Sequence, residues 1–289
     1  MFCLSKSRSQ KKRQVGREIE AKLPGVSKSL ISKSLGIGGR NLYNQNTKQN
    51  DKDLILKDQI LKVLELNPSY GHRRIALALE IGKKRTGRVM KIFGIKPYKR
   101  KARWAKKKDW GKPDSGFPNL IKGSCPVKPN IFFAGDFTRL IWNERIIYLA
   151  TYIDLFTREI VGWSISTRHT TELVIEAFLD AVRNVGLPAI SHTDQGSEYN
   201  SKEYTNFVEG LGVKISMSAK ASPWENAYQE SFYDNFKTDL GAEFERFETI
   251  GEFVEAIHQT ICYYNNQRIH TKLKMSPVKF KLKFLGRNM

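Results

Sequence analysis

IFFAGDFTRLIWNERIIYLATYIDLFTREIVGWSIS, residues 131–166, decides the architecture of this chain. Ile131 to Thr138 reads as a β-strand, Ile146 to Ile153 as a second and Glu159 to Ser166 as a third. Asp154 to Arg158 makes the turn between the last two, so the three form an antiparallel meander. The period then changes. Helical spacing runs from about Thr171 to Asn184 and is closed by Gly186 and Pro188. A short strand (Ala189 to His192), a helix (Ser201 to Glu209) and another short strand (Val213 to Met217) follow. Three strands and then alternating helix and strand predict an α/β domain, a mixed sheet flanked by helices.

Upstream of this domain the composition is different. Residues 1–130 hold 32 Lys and Arg against 9 Asp and Glu, whereas residues 131–289 hold 17 against 20. The whole net charge of +20 therefore sits in the first part of the chain. Such a segment calls for a polyanion, because each neutralised phosphate releases condensed counterions. A membrane surface fits less well, since the basic residues are not arranged along one amphipathic helix with a Trp/Leu face. No apolar run reaches membrane-spanning length, and the first residues carry charge where a signal peptide needs its apolar stretch. Cys3, Cys125 and Cys262 are too far apart for a disulfide framework or a Cys-x-x-Cys metal pair. A cytoplasmic protein, on the nucleoid when bound to DNA, is the expectation.

Residues 1–50 are expected to be a basic N-terminal segment with a flexible start over 1–20. Two short helices are predicted around Gly36 between Gly25 and Tyr43, the spacing of a helix–turn–helix. After a polar linker (Asn44 to Asp51), residues 51–112 read as a helical DNA-binding region. A helix from Leu54 ends at Asn67-Pro68, a second follows Tyr70-Gly71-His72, and a third runs from Arg85 to Phe93. Arg73, Arg74, Arg85, Arg88 and Lys91 are the candidate DNA contacts on these helices, with His72 read as a helix-start residue. Lys99, Arg100, Lys101 and Arg103 extend the set into a basic run interleaved with Tyr98, Trp104 and Trp110, a composition suited to backbone contact and base stacking. Residues 113–129, with four prolines, read as a linker into the core at 130–289 and its C-terminal helix.

Three acids fall where the element order brings them together. Asp136 lies inside an apolar strand, where an isolated carboxylate is costly. Asp194 ends the fourth strand, ahead of Gly196, which permits a sharp turn. Glu230 lies on a helix introduced by Ser222 as cap, Pro223 at the first position and Glu225 closing a capping box. Asn226, Glu230 and Lys237 share one face of that helix, with Trp224, Phe232 and Phe236 on the packed side. Three converging carboxylates suit two hard cations, Mg²⁺ or Mn²⁺, held about 3.5–4 Å apart around an in-line phosphoryl displacement. Lys237 would meet a phosphate near the cut. Spacing alone does not single these three out from 29 acidic residues.

The ordered motifs do. Asp136 with Phe137-Thr138, IDLFTREIVGW (153–163), SHTDQGSEYNS (191–201), NAYQESFYDNFK (226–237) and YYNNQRIH (263–270) together resemble an insertion-sequence transposase of the OrfB type. The catalytic core of that family is related to retroviral integrases. The likeness spans roughly residues 50–285 and includes SYGHRRI (69–75) and KIFGIKPYKRK (91–101) upstream. Asp194 and Glu230 have 35 residues between them, as in the family's Asp-Asp-Glu pattern. The resemblance implies a ribonuclease-H-like fold and Mg²⁺-dependent cleavage and strand transfer at the ends of a mobile element. It also implies DNA ends and target DNA as partners, a homo-multimer on DNA, and a fusion with an upstream reading-frame product. One departure is Ser222-Pro223-Trp224-Glu225, where many relatives carry a polar or cysteine-containing stretch. Unlike retroviral integrases, the chain has no paired His/Cys zinc module before the core.

A hydrolytic nuclease of the same fold is the first competing reading, since the same carboxylates serve a water nucleophile. A DNA-binding regulator is the second, and it has no need of all three acids. Several neighbours are weighed separately. Asp154 reads as a turn residue, Glu198 as a support for the metal site or an indirect DNA contact, and His192 as packing beside Asp194. Tyr264, Asn265, Arg268 and His270 lie on or after the last core helix, with Arg268 open to either a DNA contact or a packing role.

Overall fold

The computed structural model describes residues 8–38, 47–99, 116–218, 227–241 and 244–286. The chain divides into two compact units, Met1–Asp58 and Gln59–Met289.

In the first unit, α1 (Arg8–Lys22) and α2 (Lys28–Ser34) are joined by a short turn. The expected flexible start is thus helical from Arg8 onward. Polar does not mean disordered here: Lys, Arg, Gln and Glu are strong helix formers, and Lys12 Nζ donates to Leu35 O at 2.7 Å. Ser27 caps α2 through its hydroxyl, which accepts from Leu30 N at 3.3 Å. Gly36 follows with φ +58°, the left-handed conformation the turn requires. Much of the second short helix expected after Gly36 lies outside the described residues. The next helix, α3 (Thr47–Leu66), starts seven residues before Leu54 and takes in part of the expected linker.

The second unit contains α4 (His72–Ala78) and α5 (Lys83–Ile92), which pack on each other, with Ile75 of α4 and Val89 of α5 fully buried. The sheet follows: β1 (Phe132–Trp142), β2 (Arg145–Asp154), β3 (Ile160–Ser166), β4 (Ile190–Thr193) and β5 (Lys214–Met217), in the order β3-β2-β1-β4-β5. β1, β2 and β3 pair antiparallel, and β4 and β5 add in parallel beside β1. Strands 1 and 2 run longer than predicted because Asn143 and Glu144 both take positive φ (43° and 61°). That turn twists with the hairpin and lets the ladder continue to its tip.

Alternation along each strand feeds a core on each face of the sheet. Phe133, Ala150 and Tyr152 face α6 (Thr171–Val185) and α7 (Lys202–Gly210). Ala134, Leu149 and Ile153 face α8 (Ala227–Leu240) and α9 (Ile250–Asn266). On α9 the core residues are Phe253, Ile257, Ile261 and Tyr264, one stripe at helical spacing. Gly162 lets α6 lie on β3, since a Cβ there would sit 2.2 Å from Ala181 N. The last helix, α10 (Pro277–Leu285), straps the β2–β3 turn through Phe280 and Phe284 against Phe156 and through Lys281 Nζ to Glu159 Oε2 at 2.9 Å. The mixed sheet with helices on both faces is the ribonuclease-H-like arrangement expected from the strand order.

Candidate active site

Asp136 sits in the middle of β1, half-buried, opposite Thr151 of β2. Its Oδ1 accepts from the Phe137 amide at 2.8 Å. The last parallel pair between β1 and β4 is Ala134 with His192. Asp136 and Asp194 each lie two residues beyond that pair, Asp194 just past the end of β4, and the charges of both act on Tyr233 of α8. Asp194 is half-buried just beyond β4 and its Oδ1 accepts from Gly196 N at 2.9 Å. Gly196 is needed for space rather than for an unusual φ. A Cβ there would lie 2.9 Å from Asp194 Oδ1 and 3.3 Å from Glu198 Oε2.

α8 is attached to β1 and β2 by two side chains that sequence reading did not single out. Gln229 is fully buried. Its Nε2 donates to Ala134 O at 2.5 Å and Thr151 O at 3.0 Å, and its Oε1 accepts from Thr151 Oγ1 at 3.1 Å. One helical turn on, the Tyr233 hydroxyl donates to Asp136 O at 2.6 Å and shares a hydrogen bond with Thr151 Oγ1 at 2.8 Å. The signal was a glutamine four residues before a tyrosine on the packed face, directly ahead of Glu230. Burial pushes the Tyr233 hydroxyl well above its usual range, and the charges of Asp136 and Asp194 add to the effect. Tyr199 is raised by burial first, then by Tyr152 and Asp136.

Glu230 follows Gln229 on the exposed side of α8, and Lys237 is half-buried two turns beyond. The fold thus puts Asp136 on β1, Asp194 just beyond its neighbour β4, and Glu230 on the helix tied to β1 and β2. Among the described residues no three His, Cys, Asp or Glu side chains, these three included, stand close enough together to hold a metal ion. The cap, proline and capping box expected at 222–225 lie outside the described residues, and the helix is described from Ala227.

His169, packed on Phe137 and Tyr148, was also missed by sequence reading. Its ring lies 4.5 Å from that of Phe137 and 5.1 Å from that of Tyr148. His169 Nδ1 is 3.0 Å from Glu198 Oε1, which also accepts from Ser197 Oγ at 2.8 Å. Glu198 is therefore buried and occupied, across Gly196 from Asp194, at the wall of an open cleft of about 480 Å³ that none of the three candidate carboxylates lines. His192 is fully buried, with Nδ1 2.9 Å from Ser216 Oγ. Asp154 accepts from Phe156 N, Thr157 N and Thr157 Oγ1 at 3.1, 3.3 and 2.7 Å. Burial raises its pKa while those bonds oppose the rise.

Of the candidate DNA contacts, Arg73, Arg85, Arg88, Lys91 and Lys99 are exposed. Arg74 is turned inward: Nε donates to Ile269 O at 3.0 Å and Nη2 to Asn235 Oδ1 at 3.3 Å. Arg100, Lys101 and Arg103 lie outside the described residues. Arg268 is buried and bonds Asp239 and Asn235. Tyr264 is buried in the core, and Asn265 bonds both the amide and the carbonyl of Ile160 at 2.9 Å.

Residues 126–223 match the family model described as an integrase core domain, and residues 211–277 match a second model of the same description. The chain is 36% identical over 246 residues to the transposase for insertion sequence element IS904 of Lactococcus lactis subsp. lactis (strain IL1403), covering 80% of this chain and 95% of the relative. It is 31% identical over 266 residues to the 31 kDa protein of insertion element IS600 of Shigella sonnei, covering 86% and 96%. Among solved structures, a chain of the simian T-cell lymphotropic virus intasome in complex with PP2A regulatory subunit B56 gamma aligns with TM-score 0.50 and 16% identity over 73% of this chain and 74% of that one. That likeness concerns the fold alone.

Proposed function

On the premise that the chain belongs to the insertion-sequence transposases built on an integrase core, we propose that Asp136, Asp194 and Glu230 are its catalytic carboxylates. The protein is a DNA transposase, a polynucleotidyl transferase of the Asp-Asp-Glu class. Our reading of its reaction is cleavage at the ends of a mobile element followed by transfer of the freed strand into target DNA.

The observation that supports the assignment is the parallel pairing of β1 with β4, which ends two residues before Asp136 and Asp194, with α8 tied to β1 through Gln229 and Tyr233. An all-oxygen donor set fits Mg²⁺ or Mn²⁺. One oxygen of each aspartate is oriented by a backbone amide, Phe137 N and Gly196 N respectively. Glu230, with its side chain exposed, would complete the set for two ions. Ions bound there would activate a water or DNA 3′-hydroxyl and stabilise the departing oxygen. The chain's own part is orientation. Thr151, Gln229 and Tyr233 hold the main chain around Asp136, and Lys237 offers a cation to a phosphate at the cut. The exposed Arg73, Arg85, Arg88, Lys91 and Lys99, with Arg100, Lys101 and Arg103, would grip the DNA backbone.

In this reading the partners are element ends, target DNA and further copies of the chain assembled on them. A fusion with an upstream reading-frame product is part of the same proposal, as is action in the cytoplasm on the nucleoid. No helix among the described residues is long and apolar enough to cross a membrane.

The test is a labelled duplex bearing the terminal repeats that flank the chain's own coding sequence, incubated with Mg²⁺. Products longer than the input report strand transfer, whereas only shortened products would support the hydrolytic nuclease. Asp136→Asn should abolish both cutting and joining and leave binding of the duplex intact. An active Asp136→Asn protein would overturn the carboxylate assignment.

A further inference from the structure

The helices that carry the candidate DNA contacts do not hang loosely beside the sheet. The segment leading into α4 is bonded to the far half of α8, the helix that bears Glu230. Ser69 Oγ donates to Asp239 Oδ1 at 2.5 Å. Arg268 Nε donates to the other oxygen of Asp239, and Arg268 Nη2 donates to Asn235 Oδ1 at 2.9 Å. Arg74 of α4 reaches the same Asn235 oxygen at 3.3 Å, and its Nε reaches Ile269 O at 3.0 Å. Ile269 N closes the ring of contacts by donating to Tyr70 Oη at 2.7 Å. Tyr70 and Arg268 are each 2% exposed. Two guanidiniums thus converge on one carboxamide oxygen, and that of Arg268 also holds the Asp239 carboxylate.

Such a network is a poor device for stability alone. Burying charges is costly, and apolar residues of similar volume often hold a seam at least as well. What directional bonds supply is a fixed register. Asp239 lies nine residues beyond Glu230 on one continuous helix, about 13 Å along its axis. Any shift of α4 is therefore transmitted to the helix that carries the third carboxylate.

We propose that Arg74, Asn235, Asp239 and Arg268 are positioning residues that lock the DNA-gripping helices to the Glu230 helix, so that a bound DNA end meets the carboxylates at one defined phosphate. This rests on the reading of Asp136, Asp194 and Glu230 as the catalytic set. None of the four needs to touch the reacting atoms. Their effect is on where the DNA lies, and misplacement of about 1 Å lowers a reaction rate by a factor on the order of a hundred.

The test uses the full chain and the same end-labelled duplex, with the cut mapped to single nucleotides. Asp239→Asn should bind the duplex as the unaltered protein does, spread the cut over neighbouring phosphates and join strands on the order of a hundredfold more slowly. Adding Asn235→Asp to Asp239→Asn returns one anion between Arg74 and Arg268 and should restore the single cut position. A purely structural role would lower the amount of active protein without moving the cut. If Asp239→Asn still cuts at the one original phosphate, the proposal is wrong. Should that variant fail to fold, Arg74→Lys keeps the charge and removes the fork, and an unmoved cut in it overturns the proposal equally. Asp136→Asn, assayed in parallel, reports separately on the carboxylate assignment, because it bears on whether cutting occurs and not on where.

Discussion

The Tyr233 hydroxyl donates to the main-chain carbonyl of Asp136 at 2.6 Å, tying the helix of the third carboxylate to the strand of the first. Tyr233→Phe removes that donor and leaves the ring in place. The expected cost is about 1–3 kcal/mol, because a buried carbonyl loses a partner. Joining should fall by more than the lost folded fraction explains. Urea unfolding and strand-transfer rates on the same preparations check both.

Gln229 separates polarity from charge. Gln229→Glu removes the amide donors to Ala134 O and Thr151 O and places a carboxyl in a fully buried site. Burial raises the pKa of such a group, so the variant keeps most stability when it is protonated and loses it as pH rises through the raised value. Urea midpoints at pH 5 and pH 8, set against the unaltered protein, should diverge at the higher pH. Equal differences at both would contradict the buried placement.

Two glycine substitutions should give opposite phenotypes. Gly162→Ala puts a Cβ 2.2 Å from Ala181 N and 2.5 Å from Ala177 O, both backbone atoms of α6. It should destabilise the fold by about 3 kcal/mol. Gly196→Ala puts a Cβ 2.9 Å from Asp194 Oδ1, where the carboxylate must turn aside. Its melting temperature should hold while joining drops roughly tenfold or more. Thermal melts paired with the labelled-duplex assay distinguish them.

His270 makes the fold sensitive to acid. Burial lowers its pKa from the usual 6.5 to about 4, helped by the charges of Arg158, Arg74, Arg268 and Lys272. Its Nδ1 is buried without a hydrogen-bond partner among the described residues. With the folded pKa depressed, the unfolded chain takes up the proton first. Stability is full above about 6.5 and is lost as pH falls toward 4. His270→Gln should flatten the melting temperature across that window relative to the unaltered chain. An unchanged slope would assign the acid loss to the carboxylates instead.

Much of this was legible before the structure. The run 131–166 announced its three strands through β-prone residues broken by turn residues, and the later helices through apolar spacing. Asp136, Asp194 and Glu230 were picked out by motif, and the first two lie on or just beyond the neighbouring strands β1 and β4. The errors came where composition is a weak guide to order. The basic start at Arg8–Lys22 and the polar residues after Thr47 are helical, because lysine, glutamine and arginine favour helix as readily as solvent. Arg74 and Arg268 show the limit for charge. Arg74 was read as a DNA contact and Arg268 left open between DNA and packing, yet both are directed at Asn235, with Ile269 O and Asp239 as their further partners.

The sequence by itself determined the order of elements, the basic bias of the first 130 residues and the three acids on which catalysis is proposed to rest. Each of these depends on local spacing or on counting. Only the tertiary structure decided what holds those acids in place. Gln229 meets Ala134 across 95 positions of chain, Tyr233 meets Asp136 across 97, and Arg74 meets Ile269 across 195. A hydrogen bond is made between atoms within about 3 Å of each other. Nothing in the periodicity of a strand or helix states which distant carbonyl its buried side chains will find.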